Sequence, residues 1–341
     1  MKGQNLKKFK KPVDKLLEML TYKRPEGSET QKLFNERFIQ PLMGKPDKYG
    51  NYLCEVTKEG KTIPLFQPKS NIAFMAHHDT VHRTEGRQSV SVDSNLGIAY
   101  LSVEKECLGA DCTTGVWLIL EMIRARVPAV YVIHTGEECG GIGATAIVKE
   151  DPEWLDYVDF AISFDRYGTD SIVTHQSGIR TCSQEFSLNL ESLLNLNLKS
   201  DSSGIYTDSY EYSEVISECT NISVGYFDHH TKKESQDLQY VKKLREALIN
   251  ADWSKLQFFR DQTVMEFADW SPSKSTYKSW FDFDESVYEM VDEGDYEALN
   301  EKYTNVESLI KDFPYEVSEI FFKLGHNKSS LLKEIMKVWN I

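Results

Sequence analysis

Four short apolar runs stand out in the first two thirds of the chain. Runs of this length and composition suit strands that are buried on both faces of a parallel sheet. Helical patterns such as Gly115–Arg126 separate several of them, as in βαβ units. The pattern therefore predicts an α/β fold with a mixed, mostly parallel central sheet and helices on both faces. The four runs are Asn71–Ala76, Ala129–Ile133, Phe160–Phe164 and Ile222–Tyr226.

Weaker patterns flank these runs. Apolar residues recur at helical spacing from about residue 10 to 45, and Pro25-Glu26-Gly27 breaks the pattern into two helices, the second capped by Ser28 or Thr30. The pattern predicts a strand over Tyr52–Val56 and a hairpin or a loop over residues 83–108, which contain period-two stretches. These segments add short helices, a strand and a hairpin to the predicted sheet.

A helix over Leu238–Ala251 closes the predicted domain, so we expect one domain over residues 1–250. Residues 251–341 differ in composition, being acidic and rich in aromatic side chains. We expect them to form a mainly helical extension.

Composition narrows the class of protein. The 341 residues include 40% hydrophobic side chains, enough for a core of normal size, and the net charge of -14 argues against nucleic acid or an anionic membrane as a partner. The six cysteines form no CxxC pair, which is typical of reduced thiols in the cytoplasm. No run reaches the roughly 18 apolar residues that span a bilayer. We expect a cytoplasmic protein.

Each apolar run is followed by side chains that can bind metal. His77-His78-Asp79 follows the first run, Glu137-Glu138 the second, Asp165 the third, and His229-His230 the fourth. Ligands of open α/β sheets bind outside the carboxyl ends of the strands. His78 would point away from His77 along an extended strand, so only His77 is assigned as a ligand. The order predicts a metal site at one edge of the sheet.

Asp111 and the glutamate pair admit two interpretations when each is taken alone. Asp111 lies in a glycine-flanked turn before a helix, where it could bridge two cations or simply cap the helix. Glu137 and Glu138 precede a glycine-rich turn, where one could bind metal while the other acts as a general base, or both could be a solvated surface pair. Asp165 and His230 are weak candidates singly. The set of five favours a functional site.

The order HHD, GADC, GEE, FDR and HHTKKE resembles the co-catalytic zinc exopeptidases, the clan of aminopeptidases and carboxypeptidases. The resemblance covers about residues 10–250. It implies five metal ligands, with Asp111 bridging two metals, Asp165 serving the metal held with His77, and His230 serving the metal held with Glu138. It further implies that Asp79 orients His77 and that Glu137 is the general base. The implied cofactors are two divalent ions, zinc first, with cobalt or manganese as alternatives.

The sequence departs from the clan's pattern at Cys112, where the usual second aspartate is missing. The resemblance implies a cis peptide at the Asp111–Cys112 bond, and the substitution leaves that feature open. Only 65 positions separate Asp165 from His230, which fits the branch without an inserted lid domain.

The expected function is hydrolysis of peptide bonds by aminopeptidase action, through a water bridging two zinc ions with Glu137 as general base. Carboxypeptidase action or hydrolysis of a small N-acyl amide on the same site stays an alternative, as does an inactive peptidase-like binding protein. Asp208, in a segment that resembles a substrate loop of the clan, is a contact for a free amino terminus, a residue that buttresses the site, or a turn residue. The expected partner is a peptide or small amide, and a homo-oligomer is left open.

Overall fold

The computed structural model describes residues 12–103, 106–264 and 266. Sixteen strands lie in these residues: β1 Tyr22–Lys23, β2 Tyr52–Val56, β3 Thr62–Pro64, β4 Ile72–His77, β5 Gly86–Arg87, β6 Val90–Asp93, β7 Ile98–Leu101, β8 Ala129–His134, β9 Phe160–Arg166, β10 Ser171–Val173, β11 His175–Gln176, β12 Ile179–Arg180, β13 Lys199–Asp201, β14 Glu218–Ser223, β15 Tyr226–Phe227 and β16 Ser235–Asp237.

The α-helices of the same residues are α1 Pro12–Met19, α2 Glu29–Phe34, α3 Gln40–Met43, α4 Ala110–Arg124, α5 Ile142–Glu150, α6 Gln184–Leu194 and α7 Leu238–Asn250. A π-helical turn, Asn35–Ile39, joins α2 to α3. Ser28 accepts a hydrogen bond from the Gln31 amide and caps α2, as one of the two predicted caps.

An eight-stranded sheet organises the described residues, in the order β13-β10-β14-β9-β4-β8-β2-β3. The four central strands, β14, β9, β4 and β8, pair in parallel, while β2 and β3 run antiparallel at one edge. A second sheet of four antiparallel strands, β15-β16-β7-β6, contains the predicted hairpin as β6 and β7. The predicted mixed, mostly parallel sheet is confirmed.

The central strands are buried on both faces because their side chains alternate between two apolar cores. In β4, Ile72 and Phe74 enter the larger core with residues of α1, α4 and α7, while Ala73 and Met75 enter a smaller core with residues of α5. A strand covered by helices on both sides needs apolar residues at every position, which explains the continuous runs in the sequence.

The fourth predicted strand is shifted. The run Ile222–Tyr226 predicts the strand too late, since β14 covers Glu218–Ser223 and its first residues are polar. Those side chains are satisfied inside the sheet: Thr220 Oγ1 donates to the Val173 carbonyl, and Asn221 Nδ2 donates to the Asp165 carbonyl. A hydropathy pattern does not reveal a strand whose polar side chains bond to the neighbouring strands.

The domain boundary at residue 250 stays a prediction. The described residues beyond it lie on the domain, with Trp253 and Leu256 in the larger core. Most of the predicted helical extension, residues 267–341, lies outside the described residues. None of the described helices is both long and apolar enough to cross a lipid bilayer.

Candidate metal centre

The carboxyl ends of β4, β8 and β9 converge on one cluster of acidic and imidazole side chains. His77 is the last residue of β4, Asp165 lies near the end of β9, and Glu137 and Glu138 follow β8. Asp111 lies at the start of α4, and His230 in the loop after β15. Parallel strands bring these residues together because their carboxyl ends meet at one edge of the sheet.

Asp111 stands between the two histidines. Its Oδ1 lies 3.2 Å from His77 Nε2, and its Oδ2 lies 3.3 Å from His230 Nε2. The two oxygens of one carboxylate therefore face different imidazoles, the arrangement that a bridging ligand requires.

Each histidine also faces a second carboxylate. His77 Nε2 lies 3.4 Å from Asp165 Oδ1, and His230 Nε2 lies 3.0 Å from Glu138 Oε1. We call His77, Asp165 and Asp111 the first half-site, and Glu138, His230 and Asp111 the second half-site. The predicted ligands thus fall into two groups of three that share Asp111.

Glu137 lies beside the first half-site, with its Oε2 3.8 Å from His77 Nε2. Asp79 lies behind both glutamates. Its carboxylate accepts hydrogen bonds from the Glu137 and Glu138 amides at 3.2 and 3.1 Å, and its Oδ1 lies 3.3 Å from His77 Nδ1. One buried carboxylate therefore faces the imidazole of one half-site and holds the turn that carries the glutamates.

The turn before α4 has the backbone that its sequence requires. Gly109 adopts a φ of 69°, and a Cβ there would lie 2.7 Å from His82 Cε1, so a side chain would meet both strain and a clash. Asp111 is itself non-helical, which directs its side chain out of the helix and into the cluster. The peptide bond between Asp111 and Cys112 is cis, the feature that the clan resemblance implies.

Burial and mutual repulsion shape the protonation of the cluster. Burial raises the pKa of Glu137 well above its usual range, and burial together with Asp111 raises the pKa of Asp165 to about 7. Burial opposes the charged form of Asp111 too, but hydrogen bonds from His230 and His77 hold its pKa well below the usual value. Burial would lower the pKa of His230, yet contacts with Asp111 and Glu138 raise it to about 11. Contacts between the two kinds of side chain thus favour the charged forms of His230 and Asp111, whereas burial favours the neutral forms of Glu137 and Asp165.

Divalent cations fit this donor set. The cluster contains five carboxylates and two histidines. Among the described residues, these two histidines are the basic side chains that lie within 4.0 Å of the five carboxylates. Buried negative charge in such excess needs positive charge to offset it. Imidazole nitrogen and carboxylate oxygen are the donors that zinc takes in catalytic sites. The five carboxylates are those of Asp79, Asp111, Glu137, Glu138 and Asp165.

Two further side chains offer donor atoms that the sequence prediction left out. Cys112 groups with His77 and Asp165, and His229 groups with Asp111 and His230, each group having its ligand atoms within 4.8 Å of one another. Cys112 Sγ donates to the Phe164 carbonyl, and the His229 ring stacks on Tyr167. Cys112 is thus engaged by a hydrogen bond and His229 by a ring stack, outside the two half-sites.

His78 and Asp208 lie outside the cluster. His78 contacts Gln31 and the Gly50 carbonyl, as its opposite direction on the strand predicts. Asp208 is 1% exposed, and its Oδ2 lies 3.0 Å from His134 Nδ1. A substrate amine could reach this carboxylate only if that packing changed, so the substrate role of Asp208 stays a prediction.

Sequence reasoning missed several residues that orient the ligands. Thr207 donates to Asp165 Oδ2 at 2.8 Å, and Tyr226 donates to Asp165 Oδ1 at 3.4 Å. Glu234 accepts hydrogen bonds from the backbone that leads into Asp111. These residues lie far from their partners in the chain, Thr207 and Glu234 in loops and Tyr226 in the two-residue strand β15, and only the position of Glu234, four residues after His230, offers a signal in the sequence.

Comparison with solved structures shows the same fold in peptidases. A tripeptidase from Staphylococcus aureus subsp. aureus Mu50 superimposes with a TM-score of 0.54 at 15% identity, over 70% of this chain and 96% of that chain. The aminopeptidase PepT from Bacillus cereus gives 0.52 at 15% identity, over 70% and 96%. PhTET1-12s, a dodecamer in its asymmetric unit, gives 0.50 at 15% identity, over 70% and 97%.

No protein-family model and no curated protein matches the sequence. The resemblance to the zinc exopeptidase clan is confirmed at the level of the fold. At these identities the comparison shows the fold alone.

Proposed function

We propose that this chain is a metal-dependent peptidase of the aminopeptidase type. The observation that carries the proposal is the position of Asp111, whose two carboxylate oxygens face His77 and His230 within 3.3 Å. Two half-sites that share one carboxylate can hold two cations side by side. The structures that share the fold include a tripeptidase and an aminopeptidase, which supports peptide bonds as the substrate.

The proposed ligands of one cation are His77, Asp165 and Asp111, and those of the other are Glu138, His230 and Asp111. Zinc is the first choice and cobalt or manganese the alternative, because imidazole and carboxylate donors suit all three. When bound, such ions polarise a carbonyl oxygen and lower the pKa of water.

Glu137 is the proposed general base. Its Oε2 lies 3.8 Å from His77 Nε2 beside the first half-site, and it belongs to neither set of proposed ligands, which leaves its oxygens available to accept a proton. It takes a proton from the attacking water while the water oxygen forms a bond to the carbonyl carbon. It then gives that proton to the leaving nitrogen as the carbon–nitrogen bond breaks, so the products are a carboxylic acid and an amine.

Asp79 is the proposed orienting residue for this centre. It lies 3.3 Å from His77 Nδ1, so it can fix the tautomer that leaves Nε2 free to bind a cation. Its bonds to the two backbone amides hold Glu137 and Glu138 in their relative positions.

The direct test measures metal content and substrate range on the same preparation. We expect two equivalents of zinc in the protein and cleavage of peptides with a free amino terminus. Cleavage of N-blocked substrates alone would replace the aminopeptidase by a carboxypeptidase or an amide hydrolase of the same centre. Absence of both metal and hydrolysis would leave a peptidase-like binding protein.

Glu137→Gln tests the general base. The amide cannot accept the proton, so we expect kcat to fall by about 100-fold to 10,000-fold, the range typical of general acid–base catalysis, while zinc content stays at the level of the unchanged protein. Glu121→Gln is the matched control, because Glu121 is a buried carboxylate on α4 that pairs with Arg124 and Arg245. Near-normal turnover in the Glu137 variant would remove this residue from the chemistry.

Location and assembly are further proposals. All six cysteines lie in the described residues as free thiols, which supports a reducing compartment and hence the cytoplasm. A homo-oligomer is supported by the dodecamer formed by PhTET1-12s. Sedimentation of the full chain would test it directly.

A further inference from the structure

Glu234 is a buried carboxylate that binds the backbone at the start of α4. Its side chain accepts from the amides of Gly109 at 2.8 Å, Ala110 at 2.9 Å and Asp111 at 3.1 Å. The residue is 1% exposed. Three hydrogen bonds from consecutive amides define the position of this carboxylate and, in return, the path of the turn.

These amides have few other partners available. The first amides of a helix have no carbonyl within the helix to bond, and negative charge is favourable at that end. A carboxylate there satisfies the amides and holds the turn in the conformation that directs Asp111 into the cluster. Glu234 thus acts on a bridging ligand through the backbone.

Glu234 also ends the loop that carries His230. The loop leaves β15 at Asp228, where φ is 52°, and His230 itself has a φ of 62°. Its own backbone bonds are long, with the Thr231 amide 3.3 Å from the Asp228 carbonyl and the Glu234 amide 3.2 Å from the Thr231 carbonyl. The His230 side chain is 43% exposed. The Thr231 hydroxyl, which donates to the Asp228 carbonyl at 2.7 Å, and the His229 ring, which stacks on Tyr167, also hold this loop, and the buried Glu234 attaches its end.

The other half-site has different support. His77 and Asp165 lie at the ends of β4 and β9, two neighbouring strands of the central sheet that pair in parallel. Thr207 and Tyr226 fix Asp165 further. Glu234 directs its side-chain hydrogen bonds to the Asp111 turn instead.

We propose that Glu234 is the positioning residue of the second half-site, joining the His230 loop to the Asp111 turn by one side chain. The inference rests on the proposed two-metal centre. It adds that the two half-sites differ in how firmly the protein holds their ligands. Both half-sites share Asp111, but the first also has His77 and Asp165 on strands of the sheet, whereas the second has His230 on the loop that ends at Glu234. Loss of Glu234 therefore weakens binding of the cation in the second half-site more than binding of the cation in the first.

Zinc titration of the full chain tests this difference, with a competing chelator to resolve two binding constants. In Glu234→Ala we expect the ion of the first half-site to bind within about threefold of its original affinity and the ion of the second half-site to bind at least about tenfold more weakly, the low end of effects from residues that orient metal ligands. Glu234→Gln keeps one acceptor oxygen but places an amide group against a backbone donor, so we expect a smaller loss for the same ion.

Glu121→Gln is the control here as well, because it changes a buried carboxylate of the same helix that bonds to arginines rather than to the turn. We expect both zinc affinities to be unchanged in it. Circular dichroism of each apo-protein establishes that the variants are folded. If Glu234→Ala does not fold, the comparison of Glu234→Gln with the unchanged protein decides.

Equal loss of both ions, or loss of neither, would overturn the inference, since a purely structural residue would not separate the two constants. These outcomes differ from failure of the proposed function. If the unchanged protein binds no zinc at all, the two-metal proposal itself is wrong.

Discussion

At the scale of single residues, the direction in which a carboxylate points decides which ligands of the cluster it can orient. Asp79 illustrates this, because it accepts two backbone amides and faces His77 while lying fully buried behind the cluster. A side chain in that position sets the orientation of an imidazole and of two glutamates at once. Its replacement by an isosteric amide changes only charge and hydrogen-bonding direction.

Asp79→Asn should therefore weaken zinc binding by about 10-fold to 100-fold, the range found for partners of metal-bound histidines. The cause is that one carboxylate oxygen becomes an amide donor facing an amide or the imidazole. Competition titration with zinc measures the change. Asp93→Asn is the matched control, since Asp93 accepts the Asn95 and Leu96 amides at 2.8 and 3.1 Å in the β6–β7 hairpin. Equal effects from the two variants would contradict the role of Asp79.

The residues of the cluster are those that the sequence nominates, because strand ends and residue chemistry are both visible in one chain. His77 and Asp165 follow apolar runs directly and Glu138 stands five residues after another, and parallel pairing of the strands then brings them together. Their supporting partners are not visible in this way. Thr207 and Glu234 reach the cluster from loops, and no periodicity fixes where a loop side chain points.

At the scale of elements, a continuous apolar run locates a central strand where both faces of the strand are buried. The runs at β4, β8 and β9 satisfy this condition, and the strands agree with the prediction within two residues. In β14, Thr220 and Asn221 donate to neighbouring strands and Glu218 accepts the Ser183 amide at the start of α6, so the apolar run placed this strand late. As a result, His230 is carried by a loop rather than by a strand end.

Gly115→Ala tests how closely α4 packs on the sheet. Helix propensity alone predicts that this change stabilises a helix by about 1 kcal/mol. A Cβ at Gly115, however, would lie 2.2 Å from the Phe164 carbonyl oxygen and 2.6 Å from Cys112 Sγ. We expect this clash to outweigh the gain in helix propensity and to lower the free energy of unfolding by about 1–3 kcal/mol, as overpacking of a core does.

Urea denaturation measures that change, and the matched comparison is a substitution on the exposed face of another helix. Leu188→Ala in α6 serves, because Leu188 is 59% exposed and should shift stability by less than about 0.5 kcal/mol. A stabilised Gly115→Ala protein would mean that α4 can move away from β9 without cost.

At the scale of the whole molecule, the net charge of -14 and the acidic cluster act in the same direction. Both disfavour the compact state through repulsion between like charges, and bound cations offset part of that repulsion. A cation that binds the folded chain alone also stabilises it by mass action, by about 2.7 kcal/mol at a concentration one hundred times its dissociation constant. On the proposed function, we therefore expect metal content and thermal stability to be coupled.

Removal of metal with a chelator should lower Tm by about 5–10 °C, since 1 kcal/mol shifts Tm by about 2–4 °C in domains of 150–250 residues. Differential scanning calorimetry of the full chain, with and without excess zinc, measures the shift, and dialysis against zinc should restore it. Asp111→Asn provides the contrast, because the altered side chain contributes to both half-sites. In that variant the difference between the chelated and zinc-loaded forms should shrink to about 2 °C or less, whereas an unchanged difference would show that the stabilising ions bind outside this cluster.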